Sequence, residues 1–213
     1  MADFTDFNPE RAQVDMNNLT ELCNVSRVQL INTFGEFLTE VPELWASPKA
    51  LEFGNTYVPR LCDIYVTYCT NMNKIMHDVA QAIDIVAAAH GASSRARDNV
   101  NDFSTSSDWI NNFKEEKDGN VGMNIILVKR RLDVLKEQVD KFYELMDAIT
   151  TLNMALYDPD GAQQAAYKEL LRNFKEEMDQ AIADITTTIN GAVETEENNI
   201  RIAKESAAST MSA

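Results

Sequence analysis

The sequence predicts an all-α fold: two long antiparallel helical hairpins forming a four-helix bundle. Three observations predict it. Apolar residues recur every three or four positions along four long segments, the mark of helices that pack side-on. No segment alternates with period two for long enough to make a strand. Seven Gly and five Pro in 213 residues are few, and they cluster at breaks between those segments instead of scattering through them.

The first segment runs from about Asn8 to Val41 and carries Met16, Leu19, Leu22, Cys23, Leu30, Phe34, Phe37 and Val41 on one stripe. Beyond it, Pro42, Pro48, Gly54 and Pro59 punctuate the chain. Ser47-Pro48 sets a capping hydroxyl before a proline at the first helical position, where the missing N–H costs nothing. The second helix runs to His90 through Phe53, Tyr57, Leu61, Ile64, Tyr68, Met72, Ile75, Val79, Ile83 and Val86. Pro59 should kink it or mark its true start. The third segment, Val121 to Leu156, has the cleanest stripe: Ile125, Val128, Leu132, Leu135, Val139, Phe142, Met146, Ile149 and Leu152. The fourth begins at Asp158-Pro159, a second cap-and-proline signature, and runs to about Lys204.

These segments divide the chain into a first hairpin over residues 1–90, a polar linker over 91–120, a second hairpin over 121–205 and a frayed tail over 206–213. The linker is rich in Ser, Asn and Asp, and within it Ser107-Asp108 caps a short helix bearing Trp109, Ile110 and Phe113. Sliding one hairpin by about 112 residues brings the two cap-proline signatures and the apolar stripes into register, which suggests an internal tandem repeat. A lone hairpin leaves its stripe in water, so the stripes are buried either within one chain or between chains that swap hairpins. The oligomeric state is therefore a closed monomer or a swapped dimer.

Composition narrows function. The net charge is −15, which disfavours nucleic acid and anionic membranes as partners. No stretch is long and apolar enough to cross a bilayer stably. The N-terminus, Met-Ala-Asp-Phe-Thr-Asp-Phe, has neither the basic nor the apolar region of a secretory signal peptide. Three Cys and two His suit neither a disulfide framework nor a metal site, and the Glu-x-x-His pairs of a di-iron bundle are missing. Cys62 and Cys69 share a helix face and read as core residues, as does the Tyr57, Tyr65, Tyr68 stripe. Lys129-Arg130-Arg131 reads as a solvated face. Cys69 with His77 would need an orienting group to act as a nucleophile pair. No catalytic residue, cofactor or metal ligand is expected, and the chain reads as a non-enzymatic, protein-binding molecule.

One motif is more specific. The first turn reads Leu44-Trp45-Ala46-Ser47-Pro48-Lys49-Ala50-Leu51-Glu52-Phe53. Trp45 folds over the turn, Ser47 lets the chain reverse, and Ala50 and Phe53 set a small and a large residue on the inner face. This Trp-x-Ser-x-x-Ala-x-x-Phe pattern between two long helices resembles the WXG superfamily of helical-hairpin proteins of bacterial type VII secretion, over about residues 8–90. Ser47 stands where that family usually has Gly. The second turn, Leu156-Tyr157-Asp158-Pro159-Asp160-Gly161, matches poorly: Tyr157 replaces Trp, with Asp158 and Gly161 as counterparts of the turn residues. The family's Tyr-x-x-x-Asp/Glu export pattern occurs only at Tyr143 and Asp147, inside the third helix, where it reads as an ordinary one-turn pair. Val193, Glu197 and Ile200 meet a looser C-terminal pattern.

The resemblance implies two such hairpins in tandem, exported folded without a signal peptide, as a substrate or as the helical escort of another secreted protein. Trp45, Ser47, Ala50 and Phe53 would shape the turn offered to the secretion machinery or to a co-secreted helical partner. The competing expectation is a cytoplasmic acidic helical module, such as an immunity or chaperone-like protein, whose charge attracts a cationic partner.

Overall fold

The computed structural model describes residues 7–152, 157–158 and 160–211. The fold is all-α. Helix α1 spans Pro9–Leu44, α2 Pro48–Ala89, α3 Ile125–Thr150 and α4 Ala162–Met211. Two two-residue strands, β1 (Trp45–Ala46) and β2 (Gly122–Met123), pair antiparallel, with Trp45 opposite Met123 and Ala46 opposite Gly122.

Local chemistry sets the helix ends. Asn8 Oδ1 accepts the amides of Glu10 at 2.9 Å and Arg11 at 3.1 Å, so Asn8-Pro9 repeats the cap-and-proline arrangement of Ser47-Pro48. Helix α2 runs unbroken through Pro59 from its start at Pro48. It ends on Gly91, whose φ of +67° suits a residue without a Cβ. There the Gly91 amide donates to Ala88 O at 3.0 Å and the Ala92 amide to Ala87 O at 2.9 Å, which satisfies two terminal carbonyls. Asn124 caps α3, its Oδ1 accepting from the Leu127 amide at 3.2 Å. Helix α3 is thus shorter than its apolar stripe suggests, ending at Thr150. The end of that stripe, 153–156, lies outside the described residues.

Pro159, expected to open α4, also lies outside them. The helix begins at Ala162, yet Asp158 still caps it: Oδ2 accepts the Gln164 amide at 2.7 Å. The tail expected to fray from Ser206 is helical to Met211, with no buried residue beyond Val193 among the described residues.

The chain forms two compact units, and every helix contributes to both. Unit 1 comprises the chain up to Ile31, Asp63–Ser107 and Val139–Glu177. Its core centres on Tyr68, fully buried, with ring centroids 5.1 Å from Phe142 and 5.4 Å from Phe174. The Tyr68 hydroxyl shares a hydrogen bond with Ser26, and burial pushes its pKa well above the usual phenol range. Burial likewise pushes the Cys23 thiol up to about 12. Cys69 is buried as expected, whereas Cys62, in unit 2, is half-buried.

Unit 2 comprises Asn32–Cys62, Asp108–Gln138 and the chain from Met178. Its four helix segments form a ring of contacts. Phe37 on α1 meets Phe53 on α2. Arg60 on α2 pairs with Asp184 on α4 at 2.6 Å, and Lys129 on α3 with Glu197 on α4 at 3.1 Å. Arg131 on α3 closes the ring to Glu40 on α1 at 2.5 Å. The basic run Lys129-Arg130-Arg131 is thus a solvated, partly ion-paired face.

The segment between α2 and α3 makes contacts in each unit. In unit 1, Asn73 on α2 brackets the Phe103 backbone, donating to its carbonyl at 3.0 Å and accepting from its amide at 2.8 Å. Arg27 lies 4.9 Å over the Phe103 ring, and His77 bonds Asp102 at 2.7 Å. The one short helix of the segment is a 3₁₀ turn at Ala96–Asn99. The short helix expected at Ser107-Asp108 does not form; residues 108–113 are instead an irregular strap within unit 2.

Candidate functional site

The turn between α1 and α2 brings together the four residues singled out by the sequence. The Ser47 hydroxyl oxygen accepts the Ala50 amide at 3.0 Å, capping α2, and the Trp45 indole N–H at 2.9 Å. One oxygen therefore satisfies a helix-end amide and a buried side-chain donor. Glycine at this position would make neither bond. Ala50 is fully buried and Phe53 packs its ring 5.5 Å from the Trp45 indole.

The strap closes this arrangement from outside. Phe113 is buried with its ring 6.3 Å from Trp45 and 5.2 Å from Phe53. Trp109 packs edge-on to Phe34 at 5.5 Å. Backbone bonds add to the closure: Ser47 donates its amide to Lys114 O at 3.0 Å, and Asn124 donates to Leu44 O, the last carbonyl of α1, at 2.8 Å. Between these anchors Asp118-Gly119 makes a two-residue turn with both φ positive, bridged by Lys117 and Asn120 at 2.9 Å in each direction. The turn thus becomes a small closed core. Trp45 is 3 % exposed and Phe53 1 %, so both side chains lie inside the turn they shape.

What the surface offers instead is a cleft beside them, about 440 Å³, between the start of α2 and the middle of α4. Trp45, Phe53, Tyr57 and Ala192 form its apolar floor, and Lys49, Glu52, Thr56, Thr187 and Thr188 its rim. The Tyr57 hydroxyl bonds Thr188 Oγ1 at 2.8 Å, which holds that wall. Gly191 on α4 adds no side chain, and the space over it is empty. The α4 wall escapes sequence reasoning because threonine and glycine on a helix carry no periodic signal.

The second turn, in unit 1, is built differently. Tyr157 is buried and its hydroxyl donates to Asp15 Oδ2 on α1 at 3.1 Å, with burial and that carboxylate pushing its pKa up. Asp158 caps α4, and Gly161 takes φ +66° just before the helix. Gln164 Nε2 donates to Thr150 O at 3.2 Å and Leu152 O at 3.4 Å, covering the carbonyl end of α3. The second turn has no serine: Asp158 supplies the cap, and the hydroxyl of Tyr157 turns to α1.

Among the described residues no group of three or more Cys, His, Asp or Glu could hold a metal ion, and no helix is long and apolar enough to cross a membrane. His77 pairs with Asp102, while Cys69 has Tyr65 as its hydrogen-bond partner, and burial raises that thiol's pKa. The nucleophile pair is therefore not assembled. No protein-family model, no curated protein and no solved structure matches the chain.

Proposed function

We propose that this chain is a non-enzymatic protein of type VII-like secretion, a tandem WXG-like molecule exported as a substrate or as the escort of another helical protein. One observation carries the proposal: Trp45, Ser47, Ala50 and Phe53 act together at a chain reversal between two long helices, joined by the indole–hydroxyl–amide bonds and ring packing. Ser47 replaces the family's usual Gly and supplies a cap in its place. The surface available for recognition is the cleft beside the turn.

An immunoblot of culture medium from the native host, with and without the secretion ATPase, tests this. The expected result is protein outside the cell only when the ATPase is active. Retention in both strains, with a clean lysis control, would overturn the export reading. The net charge of −15 would then favour a retained acidic helical module holding a cationic partner. Within the export reading, Thr187→Arg fills the cleft from an exposed position. It should lower export while the melting temperature stays near the wild type's; unchanged export would remove the cleft from the recognition surface.

A further inference from the structure

In unit 1, helices α3 and α4 enclose a second groove, about 250 Å³. Its floor is apolar: Met146, Leu171 and the ring of Tyr143 are all buried. Its α4 side is cationic, with Lys168, Arg172 and Lys175 lining it. Acids outnumber bases 34 to 19 in this chain, so three bases on one groove run against the composition. Arg172 is already held by Glu169 at 2.5 Å and by Glu176. Neither Lys168 nor Lys175 has an ion-pair partner among the described residues, although carboxylates are plentiful. Lys175 lies 4.4 Å over the Tyr143 ring, which holds its ammonium at the groove edge. Asp147, the one carboxylate of the lining, comes from α3.

The two lysines are seven residues apart on one helix, about 10 Å along its axis, with Leu171 between them. An amphipathic helix with a carboxylate, an apolar residue three positions on and a second carboxylate four further on carries the complementary pattern. We propose that this groove binds an acidic amphipathic helix of a partner protein, its apolar side chain on Met146, Leu171 and Tyr143 and its two carboxylates on Lys168 and Lys175. Asp147 orients the partner by keeping its acidic edge on the α4 side. A helix fits better than a lipid surface because the groove is concave and half apolar. The proposal is independent of whether the chain is exported.

The test is fluorescence anisotropy of the full chain with a labelled alanine-based helical peptide carrying Glu-x-x-Leu-x-x-x-Glu. This peptide should bind in a salt-sensitive way, and its Gln-for-Glu version several-fold more weakly. The Lys168→Glu, Lys175→Glu double variant should weaken the acidic peptide about tenfold and bind the Lys-for-Glu peptide better than the wild type does. The Arg201→Glu, Lys204→Glu double variant, on the exposed end of α4, makes the same charge change away from the groove and should change affinity less than about twofold. Both lysines reach solvent at the groove edge, so melting curves of the double variant should overlay those of the wild type. Equal binding of the acidic and Gln peptides, no binding at millimolar peptide, or an equal loss in the Arg201, Lys204 control would overturn the proposal. So would lysine-dependent sedimentation with phosphatidylglycerol vesicles in the absence of peptide binding.

Discussion

Ser47 Oγ bonds the Ala50 amide and the Trp45 indole N–H together, so its removal strands two donors, one of them on a buried ring. Ser47→Ala should therefore cost more than an ordinary cap, about 2 kcal/mol, measurable as a lower urea midpoint with unchanged slope. A loss below about 0.5 kcal/mol would mean that water takes over both donors. The cap half of this role was legible in Ser47-Pro48. The indole half was not, because nothing in the spacing of Trp45 and Ser47 sets the rotamer that aims the ring at the hydroxyl. Tyr157 shows the converse: the sequence places it at the second turn, but its hydroxyl goes to Asp15, 142 positions away. Hydrogen-bond partners so distant in sequence have no local signature.

At the scale of elements, two glycines within helices make opposite statements. A Cβ at Gly54 on α2 would meet Asn111 Oδ1 at 2.3 Å and Phe113 Cβ at 2.7 Å, whereas a Cβ at Gly191 on α4 would meet nothing within 4 Å. Alanine favours a helix interior over glycine by about 1 kcal/mol. Gly191→Ala should thus stabilise by about 0.5–1 kcal/mol. Gly54→Ala should destabilise despite the same propensity gain, by about 1–3 kcal/mol, because the strap must shift. Thermal melts of the two variants check both signs. The helices themselves were legible from periodicity, and Asn8, Ser47 and Asp158 mark three of their starts. The strap was misread because Trp109 and Phe113, at helical spacing, suggest a helix face. The strap is instead held by Asn111, which donates to Asn55 at 2.8 Å and accepts the Phe113 amide at 3.0 Å, and by the Asp118-Gly119 turn. That turn is the one hairpin signal in the linker, easily lost among so many polar residues.

At the scale of the whole molecule, each unit completes a core with segments of all four helices from one chain. No apolar stripe among the described residues is left that requires a swapped hairpin. Light scattering should therefore give 23.9 kDa in solution; twice that mass would indicate exchange of hairpins between chains. The apolar patterning announced four helices and a shared core. It could not announce the division into units, which cuts across each helix at Ile31, Cys62, Gln138 and Glu177. Apolar stripes pass through those positions without interruption, so the boundary depends on which segments touch and not on composition.

The strap over the first turn has an optical consequence. The chain has two tryptophans, Trp45 and Trp109, and both belong to this one joint. Trp45 can be shielded early on one side by Phe53, eight residues away, but its contact with Phe113 spans 68 positions of chain and must wait for a large loop to close. Intrinsic emission should therefore respond to the seating of the strap on Trp45, the contact that needs the larger loop. It gauges that joint and is blind to unit 1, whose largest buried rings are tyrosine and phenylalanine.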